Sequence, residues 1–254
     1  MIKSSNLLKL DTAPGYGRAE QLIGECLEIA KLDASITTKI SQKSYSDMKS
    51  ILDSIRNSLK LLGVKQLECV MLHGLNEEFL NCRSSLEFAL NMALEQGLTK
   101  KIGISCYQES DIEISKSTLP GLSVFQVPEN ILDQRLINSP IVADLFKSGD
   151  EFIVRSIFLQ GLLLLDSDSL PRKFDELRIK SQQISEITDD LGISRLEYCL
   201  NYIRNIPWSS GFVIGIQSID NLIAIREILM KDSLDIDYSG IALDNTLIDP
   251  RTWS

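Results

Sequence analysis

The sequence predicts an α/β fold, a (β/α) barrel of the TIM type built on a parallel sheet. Three observations lead there. Short apolar runs alternate with amphipathic stretches along nearly the whole chain, the pattern of strands joined by covering helices. At 254 residues the chain has the normal length of one such barrel. Polar residues close the apolar runs, at the strand ends where this architecture carries its chemistry.

The elements follow in order. Leu7-Leu8-Lys9-Leu10 reads as a short strand, Asp11 to Gly17 as a Gly/Pro turn, and about 20–32 as a helix. A strand is expected around 35–41. An amphipathic helix spans 47–62, with Met48, Ile51, Leu52, Ile55, Leu59 and Leu62 on its apolar face and Gly63 closing it. Then come strand 67–73, helix 83–96 ended by Gly97, strand 101–105, a helical turn at 109–118 and strand 123–127. Helix 139–148, strand 152–158, a helical region 172–191, helix 195–205, strand 212–214 and helix 220–230 complete the series. The tail, 232–254, has little periodicity and is expected to pack across the bottom or side of the domain. With no repeat, low-complexity tract or linker, residues 1–254 read as a single domain.

Composition narrows the setting. A hydrophobic content of 44% with mean hydropathy near zero fits a soluble globular protein. No apolar run approaches the length of a membrane helix, and MIKSSNLLKL lacks the apolar core of a signal peptide. A net charge of −9 and a pI near 4.8, with no basic cluster, argue against nucleic acid and against an anionic membrane as partners. Five dispersed cysteines (Cys26, Cys69, Cys82, Cys106, Cys199) and one histidine argue against a Cys/His zinc site and a disulfide framework. A reducing cytoplasm is the natural setting.

The stretch Asp11-Thr12-Ala13-Pro14-Gly15-Tyr16-Gly17-Arg18-Ala19-Glu20 puts an acid at a strand end and a tyrosine between glycines on the loop after it. The glycines admit positive φ, which can aim the tyrosine at a pocket. Read alone, this is a capping Asp and a half-exposed Tyr. Lys39 closes the next strand and His73 the one after. Singly they read as a surface lysine and a satisfied histidine. Four such residues on consecutive strand ends favour a functional set.

DTAPGYGRAE resembles the signature of the aldo-keto reductases. GLTKKIGISCY at 97–107, FQVPENILDQR at 125–135 and VRSIFLQGLLL at 154–164 are similar to later motifs of that family, so the resemblance runs from about Leu7 to about Ile225. It implies an oxidoreductase that transfers a hydride between NADPH or NADH and a small-molecule aldehyde, ketone or sugar carbonyl. Tyr16 would be the general acid, Lys39 the cation that favours its ionised form, Asp11 the anchor of Lys39, and His73 the group that orients the carbonyl. Ser105 and Gln126 match the residues that hold the nicotinamide carboxamide in the family, and Cys106 stands at the family's Asn. Arg155 stands where many members stack a tyrosine on the nicotinamide, followed by the matching Ser156. Gly215-Ile216-Gln217-Ser218 looks like the phosphate-binding turn before the last helix. Gln217 is neutral where the family often has Lys or Arg for the 2′-phosphate of NADP, and Ala224 and Ile225 stand near the place of a later Asn. No G-x-G-x-x-G supports a Rossmann site.

The family has eight strands, with its tyrosine loop after the second; seven are legible here. The resemblance therefore implies a barrel truncated at its N-terminus, lacking the first strand and helix. Either strands one and seven close directly, or a partner or the tail fills the gap, or the sequence starts late. An unpaired strand edge favours a homodimer more than usual. The departures at Cys106, Arg155 and Gln217 motivate a second expectation, a non-catalytic relative that binds a nucleotide or a protein partner.

Overall fold

The computed structural model describes residues 8–243 and 248–253; Leu7 of the first expected strand, and 244–247 and 254 of the tail, lie outside them. The described chain is an α/β fold of the TIM-barrel type with seven strands, ordered in the sheet as in the sequence. It divides into two compact units, one running up to Gln126 with Gly149–Glu151, the other comprising Val127–Ser148 and the chain from Phe152 on.

In the first unit strands and helices alternate as β1 Leu8–Asp11, α1 Ala19–Ala30, β2 Ala34–Ile40, α2 Met48–Leu62 and β3 Leu67–Leu72. They continue as α3 Glu77–Asn81, α4 Arg83–Glu95, β4 Thr99–Ser105, α5 Glu109–Thr118 and the first residues of β5 Val124–Pro128. Each neighbouring pair from β1 to β5 is parallel. The 3.6-residue period of α2 buries Ile51, Leu52, Ile55, Leu59 and Leu62, while Met48 stays on the exposed first turn. Asp47 caps that helix, accepting from the Ser50 amide at 3.0 Å, and left-handed Gly63 ends it. Helix α1 lies hard against α2. A Cβ at Gly24 would sit 2.2 Å from the Leu61 carbonyl oxygen, so only glycine permits that approach.

The second unit holds α6 Pro140–Lys147, β6 Glu151–Arg155 from Phe152 on, α7 Asp175–Leu191, α8 Arg195–Arg204, β7 Gly211–Phe212 and α9 Ile219–Met230. Strands β6 and β7 are parallel. Leu200, Ile225 and Ile228 form a small core between α8 and α9.

Four expectations are corrected. A short helix, α3, was absent from the sequence reading; Asn76 caps it and Phe79 anchors it in the core. The turn at 109–118 is a full helix, opened by a reciprocal Gln108/Asp111 cap. The strand expected over 152–158 ends at Arg155, because Ser156 is left-handed at φ 59°. The last strand is confined to Gly211–Phe212 instead of 212–214. Of the cysteines, Cys69, Cys106 and Cys199 are buried, and all five are free thiols.

The second unit buries a carboxyl group. Glu129 is fully enclosed; the Tyr202 hydroxyl donates to its Oε1 at 2.7 Å, and the Leu136 amide donates to Oε2 at 3.3 Å. Burial holds its pKa well above the ordinary 4.5. Asp133 beside it, paired to Arg135, is also raised by burial. A raised acid binds its proton more tightly in the folded state, so its stabilisation is complete below about pH 4.5 and declines as pH rises towards the folded value. Glu129→Gln keeps the shape and removes the titration. The melting temperature of the variant relative to the parent should therefore rise as the pH increases above about 4.5. A difference that stays constant with pH would contradict this.

Candidate active site

The exits of β1, β2 and β3 build the site in the first unit. The Thr12 amide donates to the Thr37 carbonyl at 2.9 Å, carrying the ladder one residue beyond Asp11. The chain then turns, with the Tyr16 amide donating to the Ala13 carbonyl and Gly17 at φ 65°. This leaves Tyr16 half exposed, at 52%. Alternation along β2 puts Lys39 on the face opposite Thr38, where its side chain is 2% exposed, with its Nζ 2.5 Å from Asp11 Oδ1 and 3.3 Å from the Thr12 carbonyl oxygen. The same Nζ lies 5.6 Å from the centre of the Tyr16 ring. His73 follows β3, its amide bonded to the Ile40 carbonyl, and its ring meets Tyr16 edge to face at 6.4 Å. All four residues that the sequence singled out therefore converge.

Three further groups support them; of these the sequence singles out Gln126, for a different role, and misses the Thr38–Glu20 pair and Tyr45. Gln126 Nε2 donates to Asp11 Oδ2 at 2.9 Å, so the carboxylate is held on both oxygens. Thr38, the neighbour of Lys39, donates from its hydroxyl to buried Glu20 of α1 at 2.7 Å and fixes β2 against that helix. Tyr45 is fully buried, and its hydroxyl donates to the Gly74 carbonyl at 3.1 Å, next to His73. Burial lifts the Tyr45 phenol far above its ordinary value. Nothing in the stretch Ser41–Asp47 distinguishes Tyr45 from a surface turn residue, and no local signal links Gln126 to Asp11.

The residues assigned to a dinucleotide divide between the units. In the first, Ser105 and Gln126 are register partners on β4 and β5, and both are buried. A buried hydroxyl beside a buried amide fits a carboxamide, which both donates and accepts. The Sγ of Cys106, next along the chain, lies 3.8 Å from Ser115 Oγ of α5. In the second unit Arg155 closes β6, its Nη1 3.2 Å from Ser156 Oγ, and Asn130 Nδ2 donates to the Ser156 carbonyl at 3.2 Å. Gly215 and Gln217 are exposed before α9, where Ser218 caps the helix by accepting from the Asn221 amide at 3.1 Å. The charged residue in that first turn is Asp220, an acid. The helix N-terminus offers backbone donors to a phosphate but no cation for a second one.

Among the described residues no helix is long and apolar enough to cross a membrane. No curated protein sequence matches the chain. Several solved structures share its fold. An aldo-keto reductase of Bacillus halodurans in its holo form is 22% identical with a TM-score of 0.72, over 89% of this chain and 77% of that one. The thermostable aldo-keto reductase Tm1743, solved with the inhibitor epalrestat, is 20% identical with a TM-score of 0.71, over 91% and 79%. A glycerol dehydrogenase of Gluconobacter oxydans is 17% identical with a TM-score of 0.66, over 89% and 83%. At such identities the likeness is one of fold. The sequence profile of the aldo/keto reductase family, however, matches residues 6–238, and on that match the chain belongs to this family.

Proposed function

We propose that the chain is a carbonyl oxidoreductase, acting as one domain on an aldehyde, ketone or sugar carbonyl with NADPH or NADH. The observation that carries this reading is the Tyr16–Lys39–Asp11 arrangement with His73 against the Tyr16 ring. When bound, the reduced nicotinamide supplies a hydride to the carbonyl carbon. Tyr16 delivers a proton to the carbonyl oxygen, and the charge left on its phenol is stabilised by the Lys39 ammonium. Asp11 keeps that ammonium in place, and His73 orients the carbonyl oxygen towards Tyr16. Ser105 and Gln126 would hold the carboxamide, and the backbone at Gly215–Ser218 a phosphate. Arg155 and Ser156, at the end of β6, are the remaining cofactor contacts we propose. The free thiols fit a reducing compartment, for which we propose the cytoplasm.

A second reading is favoured by the placement of Cys106 and by the absence of a cation in the first turn of α9. It is a non-catalytic relative that keeps the tetrad as a remnant. Consumption of NADPH or NADH, followed by absorbance over a panel of aldehydes, ketones and sugars, separates the two. Turnover on any carbonyl supports the reductase; no turnover on the whole panel with either dinucleotide supports the second reading.

A further inference from the structure

The geometry points to Gln126 as a positioning residue for the proton-donating side of the site, a role separate from holding a carboxamide. It rests on the reductase reading above only for its consequence in catalysis. Gln126 is 3% exposed, and its Nε2 reaches Asp11 Oδ2 at 2.9 Å, bridging from β5 to β1. Asp11 thus carries two donors, one on each oxygen: the Lys39 ammonium at 2.5 Å and the Gln126 amide. Asp11 is itself 17% exposed, so the pair fixes a carboxylate that solvent reaches only in part.

The bond does two things. It fixes the rotation of the carboxylate, and with it the place of the ammonium it holds. It also draws negative charge off Asp11, which lets more of the Lys39 positive charge act on Tyr16. Gln126 stays free to present its Oε1 to a carboxamide, so one side chain would couple cofactor binding to the poise of the acid. The titratable groups around this contact are Asp11 on β1, Lys39 on β2, Cys69 on β3, Tyr16 on the loop after β1, and His73 after β3. Burial keeps Cys69 a neutral thiol, with the charges of Lys101, Glu151 and Asp11 as lesser influences. Gln126 and its register partner Ser105 add no charge.

Ultraviolet titration of the tyrosines, with no substrate or dinucleotide present, tests this. Subtracting the same titration in a Tyr16→Phe background isolates that phenol. Burial moves the ionisation of Tyr45, Tyr198, Tyr202 and Tyr238 to higher pH, and the subtraction removes whatever they contribute. Gln126→Met, which keeps length and removes the donor, should raise the Tyr16 midpoint by about half a pH unit, roughly a threefold weaker acid. Gln126→Glu, which adds an anion beside Asp11, should raise it further, by about one unit. If Gln126→Met does not fold, Gln126→Glu alone decides. A midpoint that neither variant moves would leave Gln126 only its cofactor role and overturn the proposal. Failure of the reductase reading is seen separately, as absence of turnover in the unsubstituted protein.

Discussion

Replacing Tyr16 with phenylalanine abolishes carbonyl turnover and leaves the fold intact. The two halves of this expectation come from the same geometry. Tyr16 is half exposed on a loop, and its ring contacts His73 and lies near the Lys39 ammonium, so the backbone turn is made by Gly17 and the Ala13 carbonyl without its hydroxyl. Loss of one exposed hydroxyl outside the core changes stability by no more than about 0.5 kcal/mol. The proton donor has no substitute: Tyr45 is sealed in the core and bonded to the Gly74 carbonyl. General acid catalysis contributes about a hundred- to ten-thousand-fold, so the variant should fall below detection for a slow enzyme. The check is the rate on the best carbonyl of the panel beside a thermal melt. Turnover unchanged in a folded variant would remove Tyr16 from the chemistry.

Lys39→Met has the other large effect, and it acts on stability as well as rate. Lys39 is 2% exposed and makes the ion pair with Asp11 at 2.5 Å. Methionine fills much of the same volume but leaves a partly buried carboxylate with the Gln126 amide as its main remaining donor. Removing one partner of a buried pair costs about 3–5 kcal/mol because the other charge stays behind. Since Asp11 keeps some solvent contact, about 3 kcal/mol is the fitting end, or a melting midpoint lower by about 6–12 °C for a chain of this size. Turnover should fall with it, since the phenol loses its cation. Adding Asp11→Asn should restore much of the stability and none of the rate. A melt unchanged by Lys39→Met would show that the pair is not buried as described.

Much of this was legible in the sequence, and the exceptions have physical causes. The apolar stripe of 48–62 and the run 67–72 fixed α2 and β3 because period and burial agree there. The tetrad could be read because each member closes its own strand, where identity and position both carry meaning. Helix α3 has five residues, too few for a period to show. The run 152–158 looks like one continuous strand, but left-handed Ser156 ends it at Arg155, and no residue type at that point announces the turn. The Gln126–Asp11 bond joins residues 115 apart, and only the folded sheet brings them together.

The central claim, that this chain binds a nicotinamide dinucleotide beside an intact proton-donating tetrad, is tested most directly by titrating the purified protein with NADPH and then NADH, following nicotinamide fluorescence. Saturable binding is expected, and with no cation in the first turn of α9 the 2′-phosphate should bring no advantage to NADPH. Saturation by neither dinucleotide would contradict the account and leave the tetrad as an inherited arrangement without its partner.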